Sequence, residues 1–110
     1  MPDNKTLAAR LKARERSVEA CGHVFIVRRP KAAEMVLGMT KLELVRRFVV
    51  GWDLKNIDLV PGGTPDPEPF DADLWADYLE DNDSLWPPLT AAILGLWNEH
   101  LAVKEAAEKN

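Results

Sequence analysis

Hydrophobic and polar positions alternate along this chain with a period that changes from helical to strand-like and back. The most apolar stretch covers residues 41–52. Leu42, Val45 and Val49 recur there at helical spacing, and Leu44 and Phe48 sit four apart on the adjoining flank. A sector that wide, broken only by Arg46 and Arg47, predicts a central helix over 41–50 that is buried around nearly its whole circumference. Thr40 is placed to cap its start, and Gly51 to stop it and turn Trp52 back onto it.

Upstream, residues 3–16 hold only Leu7 and Leu11 as an apolar pair among Lys, Arg and Ala, the pattern of a weak helix or a mobile basic arm. From residue 17 the period shortens. Val18 and Ala20 alternate with polar residues, Cys21, Gly22 and His23 offer a turn, and residues 24–27 are β-branched and aromatic. A two-stranded antiparallel β-hairpin over 17–28 is expected, ending where Pro30 keeps Arg29 extended. Residues 31–38 predict a short helix (Ala32, Ala33, Met35, Val36, Leu37) closed by Gly38.

Downstream, 54–64 is irregular, with Ile57, Leu59 and Val60 expected inward and a turn at Pro61, Gly62 and Gly63. Residues 64–69 form a stiff acidic connector. Asp71 caps a helix with Leu74, Trp75, Tyr78 and Leu79 on its core face, broken by residues 81–84. The last helix opens at 84–87, because prolines are tolerated in a first turn. Its core stripe is Leu89, Ile93, Leu96, Trp97, His100 and Leu101; Ala91, Gly95, Asn98 and Ala102 make a separate small-residue face, where Gly95 is either a merely tolerated glycine or the place where another backbone comes close. The expected architecture is α+β: an N-terminal hairpin packed on about four helices. Residues 1–16 are the basic arm, 17–103 one globular domain and 104–110 a solvated helical tail that frays.

The chain's 110 residues suffice for one core. No run approaches the roughly 20 apolar residues of a membrane span, and the N-terminal residues lack the apolar stretch of a secretory signal. The single Cys21 rules out an internal disulfide framework and fits a reducing compartment, so a cytoplasmic location is expected. Net charge is −4 but unevenly spread. Residues 1–31 carry Lys5, Arg10, Lys12, Arg14, Arg16, Arg28, Arg29 and Lys31 against Asp3, Glu15 and Glu19, whereas the acidic surplus lies almost wholly in 53–83. Besides a merely solvated surface, such a split allows two faces of opposite sign that engage different partners or further copies of the chain.

No stretch spells out chemistry. Cys21 and His23 flank a glycine, but a thiolate nucleophile needs a stabilised charge and an orienting third group, and neither is signalled. Cys21 reads as a small hydrophobe and His100 as a half-buried core histidine. Asp71, Asp73 and Asp77 fail as a calcium loop, since Trp75 and Ala76 occupy the fifth and sixth positions. One Cys and two distant His do not make a zinc site, and Val60 to Gly63 lack the Lys-Ser/Thr of a phosphate loop. No catalytic residue, cofactor or metal is therefore expected. The helix pair over 32–50 has the outline of a helix-turn-helix, but the apolar circumference of its second helix and the acidic balance count against groove reading. Trp86, set before two prolines and rimmed by Glu80, Asp81 and Asp83, is a candidate binding hot spot, with core packing the other reading.

Five segments carry a resemblance. They are Phe25, Ile26, Val27, Arg28, Arg29 and Pro30; Arg47, Phe48, Val49, Val50, Gly51, Trp52 and Asp53; residues 58–63; Pro69, Phe70 and Asp71; and Leu85 and Trp86 leading into a helix with Trp97 and His100. Over residues 18–100 the chain resembles the small tail assembly chaperones of long-tailed phages and prophages. The resemblance implies a non-enzymatic, mostly helical, self-associating protein of the bacterial host cytoplasm that transiently binds the tape measure protein and tail tube subunits. Trp86, Ala91, Gly95 and Ala102, with Arg28 and Arg29 at the strand end, are the candidate protein-binding residues. The alternative is a small phage or bacterial regulator that binds nucleic acid through the 32–50 helix pair; an enzyme or enzyme subunit is a third class, with no site to assign.

Overall fold

The computed structural model describes residues 4–108 and has an α+β architecture. Its elements are α1 (Lys5–Ala13), β1 (Glu15–Ala20), β2 (His23–Arg28), α2 (Ala32–Met35), α3 (Lys41–Phe48), β3 (Val49–Trp52), α4 (Asn56–Leu59), α5 (Ala72–Asp81) and α6 (Trp86–Glu108). The hairpin forms as its alternation predicts: Val18 and Ala20 turn inward on the same face as Phe25 and Val27, Val18 directly opposite Phe25, and Phe25 and Val27 have no exposed surface. The turn is tighter than expected. Only Cys21 and Gly22 lie outside the strands, both at positive φ (51° and 82°), the conformation of a two-residue type I′ turn.

The sheet has three strands, not two. The chain leaves the helix at Val49 (φ −91°, ψ 124°), so Val49 and Val50, expected as its last residues, join Gly51 and Trp52 in a strand that pairs antiparallel with β2, in the order β1-β2-β3. β-Branched Val49 and Val50 followed by Trp52 favour a pleated surface over a helix, and a short apolar run carries too little periodicity to separate the two. Gly51 is consequently no helix stop. It sits in β3 opposite Ile26, where an added Cβ would stand 3.1 Å from Ile26 Cδ1.

The central helix is also less enclosed than its pattern predicts. Leu44, Val45 and Phe48 are buried, but Lys41, Glu43, Arg46 and Arg47 form an exposed polar face. Thr40 caps it as expected, its hydroxyl accepting from the Glu43 N–H at 3.1 Å. α3 packs between α5 and α6, and α6 in turn covers the inner face of β1 and β2. Trp75 lies wholly inside, its ring centroid 5.3 Å from that of Phe25, and its indole N–H donates to the Val45 carbonyl at 3.2 Å.

Four apolar residues expected inward are partly exposed: Ile57, Val60, Leu74 and Leu101. Leu54, not Ile57, fills the core beneath the 54–64 segment, because Asn56–Leu59 coils into a single turn that points Ile57 outward. The acidic connector is extended and folds back on this turn: Lys55 bridges to Pro67, and Glu68 N–H donates to the Leu54 carbonyl at 3.0 Å. Asp71 caps α5 by accepting from Asp73 and Leu74 N–H groups. α6 opens at Trp86 with both prolines in its first turn and runs helical to Glu108, exposed from Leu101 onward. α1 is a formed helix with no buried residue, and β1 starts directly after its cap. Residues 1–3 of the expected arm and 109–110 of the expected tail lie outside the described residues.

Candidate protein-binding surfaces

One face of α6 is turned away from the core. A helix advances 100° per residue, so Ala91, Leu94, Gly95, Asn98, Leu101 and Ala102 fall in one arc of about 120°. That arc lies opposite the buried Leu89, Ile93 and Leu96, and all of its residues are exposed except half-buried Gly95. The small-residue face expected from the sequence is thus turned outward, widened by Leu94 and Leu101. Among the described residues nothing beyond the neighbouring turns of α6 lies within 4 Å of a Cβ added at Gly95, so no other element among them uses the space it leaves.

Leu94 also borders a hollow of about 220 Å³ shared with Met35, Met39, Leu44 and Thr90. Thr90 is buried, and its hydroxyl has no hydrogen-bond partner among the described residues. The neighbouring turn carries the two most exposed large apolar side chains, Val36 (82 %) and Leu37 (73 %). Both belong to the expected short helix, which instead ends at Met35 and leaves them on the turn before Gly38.

Trp86 is placed differently from the other candidates. It is half-buried against the core, and its indole N–H donates inward to the Leu79 carbonyl at 2.7 Å. Its polar handle is thereby committed within the chain, and only part of the ring faces outward.

Arg28 and Arg29 diverge. Arg28 pairs with Glu15 across the hairpin at 2.9 Å, whereas Arg29 donates to the Pro30 carbonyl at 3.0 Å and faces Arg14 and Arg10. Burial and then those two cations lower the pKa of the Arg29 guanidinium. Beside it, Arg16 clasps Glu99 of α6 with two bonds of 3.0 and 2.7 Å. That clasp holds the Glu99 carboxyl below its ordinary value. His100 is also shifted down, by burial and then by Arg29, Lys104 and Arg14.

The remaining polar residues do not converge. Cys21 is exposed with its Sγ 3.7 Å from the Ser84 carbonyl, and His23 faces Asp53 at 3.4 Å, so the two hold different partners. Among the described residues no three His, Cys, Asp or Glu side chains form a metal-binding group. The hollow beside Arg46 and Arg47 also contains Glu43 and Asp73, carboxylates that oppose phosphate contact there. Among the described residues no helix is long and apolar enough to cross a membrane. Comparison with protein-family profiles, with curated proteins and with solved structures returned no match.

Proposed function

We propose that this protein is a non-enzymatic binding factor of the phage tail assembly chaperone kind, which holds a helical segment of the tape measure protein, and tail tube subunits, in the host cytoplasm until the tail is built. The observation that carries the reading is the uncovered arc of α6 from Ala91 to Ala102, apolar or small at every position but Asn98. Small residues let a second helix approach closely, and the two leucines supply apolar contact. Val36 and Leu37 extend the apolar surface beside it.

Gly95 offers the cleanest test, because its surroundings in the monomer are open. Gly95→Leu gains helix propensity, about 0.8 kcal/mol, while filling the gap a partner helix needs. On co-expression with the tape measure protein, the native chain is expected to keep that client soluble and co-purify with it, whereas Gly95→Leu and Leu94→Glu lose the client. Equal recovery of client with both variants, or client solubility indifferent to this chain, rejects the proposal.

A further inference from the structure

On the opposite side of α6, Arg14 and Arg29 stand where two hollows meet. One, of about 300 Å³, is lined by Arg14, Arg16, Arg29, His100, the apolar Leu96 and Val103, and Glu99, which is taken up by Arg16. The other, of about 240 Å³, shares Arg14 and Arg29, reaches Leu11 and Phe48, and also holds Arg28, Lys31 and the Arg47–Glu34 pair. The two arginines are fixed relative to each other by their own backbone, since Arg29 N–H donates to the Arg14 carbonyl at 2.8 Å. Around them Arg16, Arg28 and Arg47 each hold a carboxylate of the chain, Glu99, Glu15 and Glu34 respectively. Among the described residues no carboxylate pairs with Arg14 or Arg29. The centre of the basic cluster is its uncompensated part.

We infer that the groove on either side of Arg14 and Arg29 binds an acidic, amphipathic protein segment, the two guanidinium groups taking its carboxylates and the apolar walls its hydrophobic side chains. Planar guanidinium forks match carboxylates in two-bond geometry, and Glu99 on Arg16 already shows that mode at the groove's rim. Burial first, and neighbouring cations second, lower the pKa values of Arg29 and His100, and a bound carboxylate relieves the second of these causes. A single-stranded nucleic acid would want exposed aromatic platforms for its bases, and here the aromatic walls are buried Phe48 and half-buried His100. The groove uses Leu96, Glu99, His100 and Val103 of α6, a different side from the Ala91–Ala102 arc, so it stands independently of the client site proposed above.

The test titrates the whole chain with a short helical peptide of mixed Glu and Leu, its Gln-for-Glu counterpart, and an oligothymidylate of equal charge, with calorimetry and the His100 ring-proton shift as readouts. The acidic peptide is expected to bind about tenfold or more tighter than the Gln peptide, to weaken as salt is raised, and to raise the His100 pKa. Arg14→Gln should lower that affinity about tenfold, while Lys12→Gln, which removes a charge outside the groove, leaves it within about twofold. Arg29→Gln serves as a second variant, with its unfolding midpoint measured alongside because Arg29 also bonds Pro30. Equal affinity for the Glu and Gln peptides overturns the inference, as does an Arg14→Gln chain that binds like the native one. Tighter binding of the oligothymidylate reassigns the groove to phosphate and overturns it as well.

Discussion

Thr90 is the residue whose environment is least satisfied. Its hydroxyl is buried beside Met35, Met39, Leu44 and Leu94 and has no partner among the described residues. A buried unpaired polar group costs about 1–3 kcal/mol, so Thr90→Val, which keeps the shape and removes the hydroxyl, is expected to stabilise the fold by about 1 kcal/mol. Chemical denaturation reads this directly: the midpoint should rise with the slope unchanged. A fall in midpoint would mean that the hydroxyl is satisfied in solution after all. Trp75 is the opposite case, with a fully buried ring and its one donor paired to Val45. Three of the four indoles spend their N–H on a carbonyl inside the molecule: Trp75 on Val45, Trp52 on Glu68 and Trp86 on Leu79. That pairing is what allows so small a chain to bury so much aromatic surface.

At the scale of elements, the passage from α3 into β3 organises the sheet. Gly51 stands against Ile26, whose Cβ, Cγ1 and Cδ1 all lie 3.1–3.3 Å from where a side chain would begin. Gly51→Val should therefore overpack the β2–β3 pair and cost about 1–3 kcal/mol, seen as a lower thermal midpoint. A neutral effect would show that β3 can slide away from β2. The strands of the hairpin, the Thr40 and Asp71 caps and the prolines opening α6 were legible in the sequence because each is a local signal. β3 was not, since Val49 and Val50 follow the helix at matching spacing and Gly51 reads as its stop, so a periodic reading extends the helix through them. Ile57, Val60, Leu74 and Leu101 were misplaced for a related reason: hydrophobicity marks what can be buried, and the packing of neighbours decides what is. Of the candidate site, the small-residue face of α6 was readable as a face. Its orientation outward, and the addition of Leu94 and Leu101 to it, depend on which side of α6 the sheet occupies. The Arg14–Arg29 pairing was out of reach, because a backbone bond between the end of α1 and the residue after β2 leaves no mark on the sequence.

The molecule as a whole is elongated. Its radius of gyration is 15.9 Å, against about 13 Å for a compact chain of this length, and its extents are 57 × 38 × 23 Å. Two helices stand partly clear of the core. α1 buries nothing, and α6 is exposed over Leu101 to Glu108. Amide exchange in the free protein is accordingly expected to be slowest at Leu89, Ile93 and Leu96 and fast beyond Leu101, and binding of a helical client on the outer arc should slow the distal part. Uniform protection along α6 would contradict this gradient. The middle of the chain is built the other way. Phe48 closes α3 and Val49 opens β3 with no residue between them, so helix and strand share a peptide bond where other folds place a joint. With no linker at that point, α3 and β3 are tied directly to each other, and a pull on the core-facing turns of α6, which pack on α3, is passed straight to the sheet.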